Sequence, residues 1–324
     1  MSDAAADWRW MGASLALASR GVGLATPNPS VGCIIVNQGL VVGRGWTQPG
    51  GRPHAEAMAL AQAGDLARGA TAYVTLEPCA HVSARGPSCA DSLIGAGVAR
   101  VVVAAHDPDP RTDGDGEARL IAAGIAVTNG VRAAEAEAGL AGFLTRLRLG
   151  RPHIILKLGV SLDGAIAMGD GRSQWITGTG ARTAAHLERA RADLVVVGRS
   201  TWDTDAPRLD VRLAGLADRS PRIGVVGRGD GLPGHVHHFP DLPALMADPA
   251  LQILVEGGMG LAASLLAAHL VDTLLLHRAP ILIGGGRSLP DIGLTDLGSA
   301  HGRWAAAPIV TLGADRIERH TRIR

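Results

Sequence analysis

The chain has 324 residues, long for a single hydrophobic core, so two domains are the default expectation. Its 31 basic and 30 acidic residues leave a net charge of +1, and aromatic residues make up only 3%, which argues against a nucleic-acid-binding or anionic-membrane surface. No apolar run approaches the roughly 18 residues a bilayer span needs, the first seven residues carry two acids and no basic n-region, and three cysteines fit a reducing compartment better than a disulfide framework, so a cytoplasmic location is expected.

The first half alternates strand and helix signals. Residues 31–36 and 40–43 are short β-rich runs split by Asn37-Gln38-Gly39, which reads as a hairpin. Pro53-His54-Ala55-Glu56 opens a helix that runs to Ala63. A strand over 70–75, a short helix over 90–94 and a buried strand over 101–105 follow, then a helix over 115–123, a strand over 125–127 and one long helix over 133–148. Arg151-Pro152 breaks that helix, which places a domain boundary at about Gly150 and predicts domains 1–150 and 151–324. The second half restarts with a strand over 154–161 and a helix over 181–191. Strands over 194–197, 222–226 and 252–255 precede a helix over 260–268, and strand-like runs close the chain at 272–276, 309–312 and 316–323. Residues 210–222 and 228–238 read as loops. Alternating β and α signals with glycine-rich corners predict an α/β protein with mostly parallel sheets covered by helices.

Three residues in the first half have the makings of a metal site. His54 begins one helix, Cys79 follows a strand after Pro78, and Cys89 begins the next short helix. One imidazole and two thiolates leave the fourth tetrahedral position of Zn2+ open, which is the catalytic arrangement. Glu56, two residues from His54, is placed to relay a proton, and His-x-Glu…Pro-Cys is the signature of zinc-dependent base deaminases, in which the glutamate is not a ligand. Cys33, in an alternating strand, reads as a packed core thiol. His235, His237 and His238, flanked by glycine and proline, read as solvated. Lys157 is the only lysine in the chain, a hint that a slim, titratable ammonium is wanted there. In the second half, Glu256-Gly257-Gly258-Met259-Gly260 lies between a strand and a helix, where backbone amides can hold a phosphate. Tight packing accounts for these glycines equally well, and the segment is not a Gly-x-Gly-x-x-Gly fingerprint.

Thr26-Pro27-Asn28-Pro29-Ser30-Val31-Gly32-Cys33, Pro53-His54-Ala55-Glu56 and Thr75-Leu76-Glu77-Pro78-Cys79 together resemble the deaminase half of the bifunctional deaminase/reductase family of riboflavin biosynthesis. The resemblance continues through Leu156-Lys157-Leu158-Gly159, Ser173-Gln174-Trp175-Ile176-Thr177, Gly198-Arg199-Ser200-Thr201-Trp202 and Asp205-Ala206-Pro207. It implies an N-terminal cytidine-deaminase-like three-layer α/β/α domain and a C-terminal dihydrofolate-reductase-like α/β domain. The implied activities are hydrolytic deamination of a phosphorylated diaminopyrimidinone ribosylamine, then NADPH-dependent reduction of its ribosyl group to ribityl. The resemblance also implies that Gly159, Trp175, Thr201 and Asp205 touch NADPH, as does the segment Gly258, Met259, Gly260, Leu261, Ala262, Ala263 and Ser264. Asn28 lines the deaminase substrate, while Ser173, Arg189, Leu209, Arg212 and Glu256 line the reductase substrate. Glu56, Asp205 and Lys157 are the expected catalytic groups; His54, Cys79 and Cys89 the metal ligands. The expected partners are a phosphorylated pyrimidine substrate and further copies of the chain, with no nucleic acid and no membrane. Three departures from the family pattern stand out: nine residues, not eight, separate the zinc cysteines; Asp109 replaces an asparagine in Asp107-Pro108-Asp109-Pro110, where a substrate contact is implied; and Ala206 replaces an aspartate. The competing readings are a deaminase whose reductase half serves only assembly and, from another class, a zinc-stabilised RNA-binding module.

Overall fold

Asn37-Gln38-Gly39 does turn the chain back on itself. Strands β1 (Gly32–Asn37) and β2 (Leu40–Trp46) pair antiparallel, with Asn37 opposite Leu40. The computed structural model describes residues 3–81 and 86–324 and divides them into two compact units, Met1–Gly150 and Arg151–Arg324. In the first unit β1 also pairs antiparallel with β3 (Thr71–Leu76), which runs parallel to β4 (Arg100–Ala105), itself parallel to β5 (Ala126–Thr128), giving the order β2-β1-β3-β4-β5. Helix α1 (Asp3–Ala18) packs on β1 and β3, while α2 (Ala55–Ala63) packs on β2 and β1. The short helices α3 (Cys89–Ala96) and α4 (Asp115–Ala122) pack on each other. The predicted long helix over 133–148 is two helices, α5 (Ala133–Gly139) and α6 (Ala141–Leu149), because Leu140 leaves helical geometry at φ −97°, ψ 5° next to Gly139.

Apolar residues on both faces of the central strands, among them Ile35, Val74 and the run Val101-Val102-Val103, are buried with Leu93 and Leu120 in one core. The start of α2 matters most for function. A Cβ on Gly45 of β2 would stand 2.1 Å from the carbonyl oxygen of Ala55, so the missing side chain lets the helix lie directly on the strand backbone. That contact fixes where His54 and Glu56 emerge.

The second unit carries a nine-stranded sheet. Strands β6 (His153–Val160), β7 (Leu194–Gly198), β8 (Arg222–Val226), β9 (Val236–Phe239), β10 (Gln252–Glu256) and β11 (Thr273–Arg278) are all parallel, in the order β11-β6-β10-β7-β8-β9. Beyond β11 the chain adds an antiparallel edge made of β12 (Trp304–Ala306), β13 (Val310–Leu312) and β14 (Asp315–Arg322). Helices α7 (Thr179–Arg191), α8 (Arg199–Asp205), α9 (Leu242–Met246) and α10 (Met259–Ala267) complete the unit. The expected loop over 228–238 is in part the edge strand β9. There Val236 and Phe239 are buried while His237 and His238 are exposed, too short an alternation to read as a strand from sequence. Strands β6 and β11 end opposite each other at Val160 and Arg278, while β10 stops at Glu256 opposite Lys157, and ligands of parallel sheets bind beyond such carboxyl edges.

Candidate active sites

His54 caps α2, Cys79 lies just past β3, and Cys89 opens α3, so three elements deliver one donor atom each. The donor atoms lie within 4.8 Å of one another. His54 Nδ1 is 3.2 Å from Cys89 Sγ and 3.7 Å from Cys79 Sγ. Tetrahedral zinc with bonds of about 2.0–2.3 Å separates its donors by about 3.3–3.8 Å, so this set fits the ion. The site's electrostatics agree. Hydrogen bonds from Cys89 and then His54 push the Cys79 thiol well down, and the bond to Cys79 raises His54, which leaves a thiolate already in place. Cys89, which makes the matching bond to Cys79, is pushed up. The backbone N–H of Cys89 also points at Cys79 Sγ, 3.3 Å away.

Glu56, 3% exposed, sits in the first turn of α2 beside Cys89. Burial raises its pKa, and the negative charge at Cys79 adds to the effect. Asn28 Nδ2 lies 3.3 Å from His54 Nε2 and donates to the Gly51 carbonyl at 2.9 Å. That position lets Asn28 orient the imidazole as well as meet a ligand. Cys33 is fully buried, as a core thiol should be. Of the nine residues between the cysteines, 82–85 lie outside the described residues.

Two groups near this site, His81 and His106, went unnoticed in the sequence, and Glu77 and Asp107 were seen only as members of motifs. Glu77 is fully buried; His106 bridges it to Asp113; burial drives the Asp107 carboxyl up to about 6; and His81 Nδ1 is buried with no hydrogen-bond partner among the described residues. Glu77 was visible inside its motif, but a side chain's burial is a tertiary fact. Asp109 is clamped bidentate by Arg111, with Nε–Oδ1 at 2.9 Å and Nη2–Oδ2 at 2.5 Å.

In the second unit Lys157 and Glu256 are register partners on adjacent strands, so their side chains share a face. Burial lowers the Lys157 pKa, with Glu256 opposing the shift. Glu256 accepts two bonds from Arg189, at 2.5 and 2.9 Å, and Arg189 Nη1 donates to the carbonyl of Asp210 at 2.9 Å. Arg212 is exposed and paired with Asp210, and Leu209 is buried beside that residue, so Arg189, Leu209, Arg212 and Glu256 do converge. Thr201 faces the Gly257-Gly258 turn, its hydroxyl 3.0 Å from where a Cβ on Gly258 would stand. Beyond that turn the segment is helical. Ala262 N donates to the Gly258 carbonyl, and Leu261, Ala262 and Ala263 are packed in the interior. Only the amides of Met259, Gly260 and Leu261 therefore precede the helical ladder, a set that suits a cofactor phosphate. Ser173 and Trp175 lie on an exposed stretch, with Arg182 stacked 5.0 Å over the indole. Asp205 and Arg228 are exposed, and Ala206 caps α8 at φ 40°. His277, opposite Gly159 in register, is buried beside the backbone of Ala181, and a strand rich in leucine gave no sign of it.

Residues 5–105 match the cytidine and deoxycytidylate deaminase zinc-binding region, and residues 152–236 and 225–301 match the RibD C-terminal domain. The chain is 42% identical over 327 residues to riboflavin biosynthesis protein RibD of Escherichia coli K12, covering 86% of this chain and 89% of that one. RibD of Mycobacterium tuberculosis H37Rv is 39% identical over 90% of this chain and 91% of its own. Among solved structures, RibD of Acinetobacter baumannii superposes with a TM-score of 0.88 at 33% identity, covering 99% of this chain and 100% of that chain. A Thermotoga maritima diaminohydroxyphosphoribosylaminopyrimidine deaminase/5-amino-6-(5-phosphoribosylamino)uracil reductase superposes at 0.90 and 28% identity with the same coverage. With the deaminase-like and reductase-like folds in one chain and sequence identity along most of its length, the chain belongs to the RibD family of riboflavin biosynthesis proteins.

Proposed function

We propose that the chain performs both reactions of the Thermotoga relative: deamination of the diaminopyrimidinone ribosylamine phosphate in the first unit, and reduction of the resulting aminouracil's ribosyl group in the second. The convergence of His54, Cys79 and Cys89 with Glu56 beside them carries this reading. A zinc ion there supplies hydroxide at neutral pH, by lowering the pKa of water to about 7. Glu56 would take the proton that the water loses in becoming hydroxide and return it to the departing amine, for which a raised pKa is the right tuning. Asn28 holds the His54 ring from its far edge, and Glu56 lies near the buried core thiol Cys33.

In the second unit NADPH supplies a hydride. The Gly257-Gly258 turn, Thr201 and the first amides of α10 hold its phosphates, and Gly159 and Trp175 contact the rest of it. Arg189, Arg212 and Glu256 hold the phosphorylated sugar; guanidinium forks match phosphate oxygens. Lys157, buried beside Glu256 and eased toward its neutral form, delivers or takes the proton that accompanies ring opening, and Asp205 meets the reacting carbon. We also read the protein as a homo-oligomer acting on a small molecule in the cytoplasm. The test supplies the diaminopyrimidinone phosphate with and without NADPH and identifies the products by mass. Deaminated product alone without NADPH, and deaminated, reduced product with it, is expected. Deaminated but never reduced product would establish the assembly-only reading of the second unit.

A further inference from the structure

A carboxylate buried without partners is costly, so a fully buried one is held by donors from every side. Glu77, two residues before Cys79, is such a group: its side chain is 0% exposed. Oε1 accepts the backbone N–H groups of Gly116 at 3.1 Å and Glu117 at 3.4 Å, and Oε2 those of Gly114 at 3.2 Å and Asp107 at 3.4 Å. His106 Nδ1 reaches Oε2 at 3.1 Å, while its Nε2 reaches Asp113 Oδ1 at 2.8 Å. The Nε2–Asp113 contact is a hydrogen bond and the Nδ1–Glu77 contact an ion-pair approach, so the ring stands between two carboxylates. The two ends of the 106–117 segment are thus tied to one side chain. The far end is also pressed onto the metal-ligand segment, because a Cβ on Gly116 would stand 2.0 Å from the Pro78 carbonyl oxygen.

Between those ties lie Asp107 and Asp109. The loop braces them internally: Asp107 Oδ1 accepts Asp109 N at 3.0 Å, and Asp109 Oδ1 accepts Arg111 N at 3.0 Å. The loop is therefore a stiff unit suspended from Glu77, and its distance from Cys79 is set by how Glu77 and His106 hold it. We propose that Glu77 and His106 are positioning residues of the deaminase site, a clamp of a buried carboxylate and a half-exposed imidazole that fixes the Asp107–Asp109 loop against the Cys79 segment and thereby sets substrate affinity. The proposal rests on the deaminase reading given above.

Replacing Glu77 endangers folding, so the test uses the half-exposed His106 and its outer partner. His106→Ala and Asp113→Ala should raise the KM for deamination, by about tenfold for the first, the loss of one charge-assisted hydrogen bond softened by solvent. The turnover number and zinc content should stay near native, and reduction of directly supplied aminouracil substrate should be unaffected. The double variant should be no worse than His106→Ala alone, since both break one chain of contacts. Hydrogen exchange at the amides of Gly114, Gly116 and Glu117, a readout independent of turnover, should accelerate in His106→Ala. An unchanged KM, or a fall in turnover together with loss of zinc, overturns the proposal. So does unchanged exchange. If the native protein releases no ammonia at all, the deaminase reading fails, and with it the catalytic part of the clamp; unchanged exchange in an active enzyme refutes the clamp alone.

Discussion

Arg189→Met removes one half of the ion pair between Arg189 and Glu256 in the second unit. Both side chains are nearly dry, 12% exposed for Arg189 and 11% for Glu256, and two bonds of 2.5 and 2.9 Å join them. Breaking a buried pair from one side leaves an uncompensated charge and typically costs about 3–5 kcal/mol. Lys157 stands opposite Glu256 in register and supplies a second counter-charge, so the lower end, about 3 kcal/mol, is expected here. Removing both charges in Arg189→Met/Glu256→Leu should recover most of that loss, because hydrophobic replacement of a buried pair is often neutral. Hydrogen exchange of the β6 and β10 amides reads the second unit by itself, which a global melt of a two-unit protein does not. A single-variant cost below about 1 kcal/mol, or a double variant as unstable as the single one, would falsify the claim that the pair is mutually compensating.

Glu56→Gln should cut ammonia release by about a hundredfold to ten-thousandfold while zinc stays bound and NADPH oxidation on supplied aminouracil substrate continues; near-native ammonia release would remove Glu56 from the proton path. Cys89→Ser should lose metal and deamination together, measured as zinc per chain, and a fully loaded variant would refute the ligand assignment. Asp205→Asn should slow NADPH oxidation greatly and spare ammonia release; unchanged turnover would pass the role to Lys157. Acid should destabilise the second unit. Burial lowers His153 to about 4 and His277 to about 3, the latter helped by the charge of Lys157, whereas unfolded histidine titrates near about 6.5. Both are bound neutral in the folded state, so the unfolded state takes up protons first. The stability they contribute is complete above about 6.5 and is lost as pH falls, at about 1.4 kcal/mol per pH unit for each. His277→Leu should flatten that slope by one histidine's share in denaturant titrations run across this window; an unaltered slope would show that His277 is not held neutral.

The chain's order of chemistry was legible in sequence because it is written in local rules. Proline and glycine punctuation, an alternation of short β runs and alanine-rich helices, and a histidine, a glutamate and two cysteines at element boundaries need no knowledge of distant contacts. His54, Cys79 and Cys89 could be named for the same reason: each sits at an element end, and element ends are what local signals mark. What the sequence did not determine is which polar side chains are dry and whom they meet. Arg189 and Glu256, 67 positions apart, are one ion pair, and parallel register alone sets Lys157 against Glu256 and His277 beside Gly159. The segment after Gly258 turns its side chains into the core because helix packing, not the glycine motif, governs residues past the first turn. Glu77 read as a member of a motif and became a buried anchor only when the segment following β3 was laid against α4. Burial and pairing depend on sheet order and crossover, which bring together residues separated by up to hundreds of positions, and no local propensity carries that information.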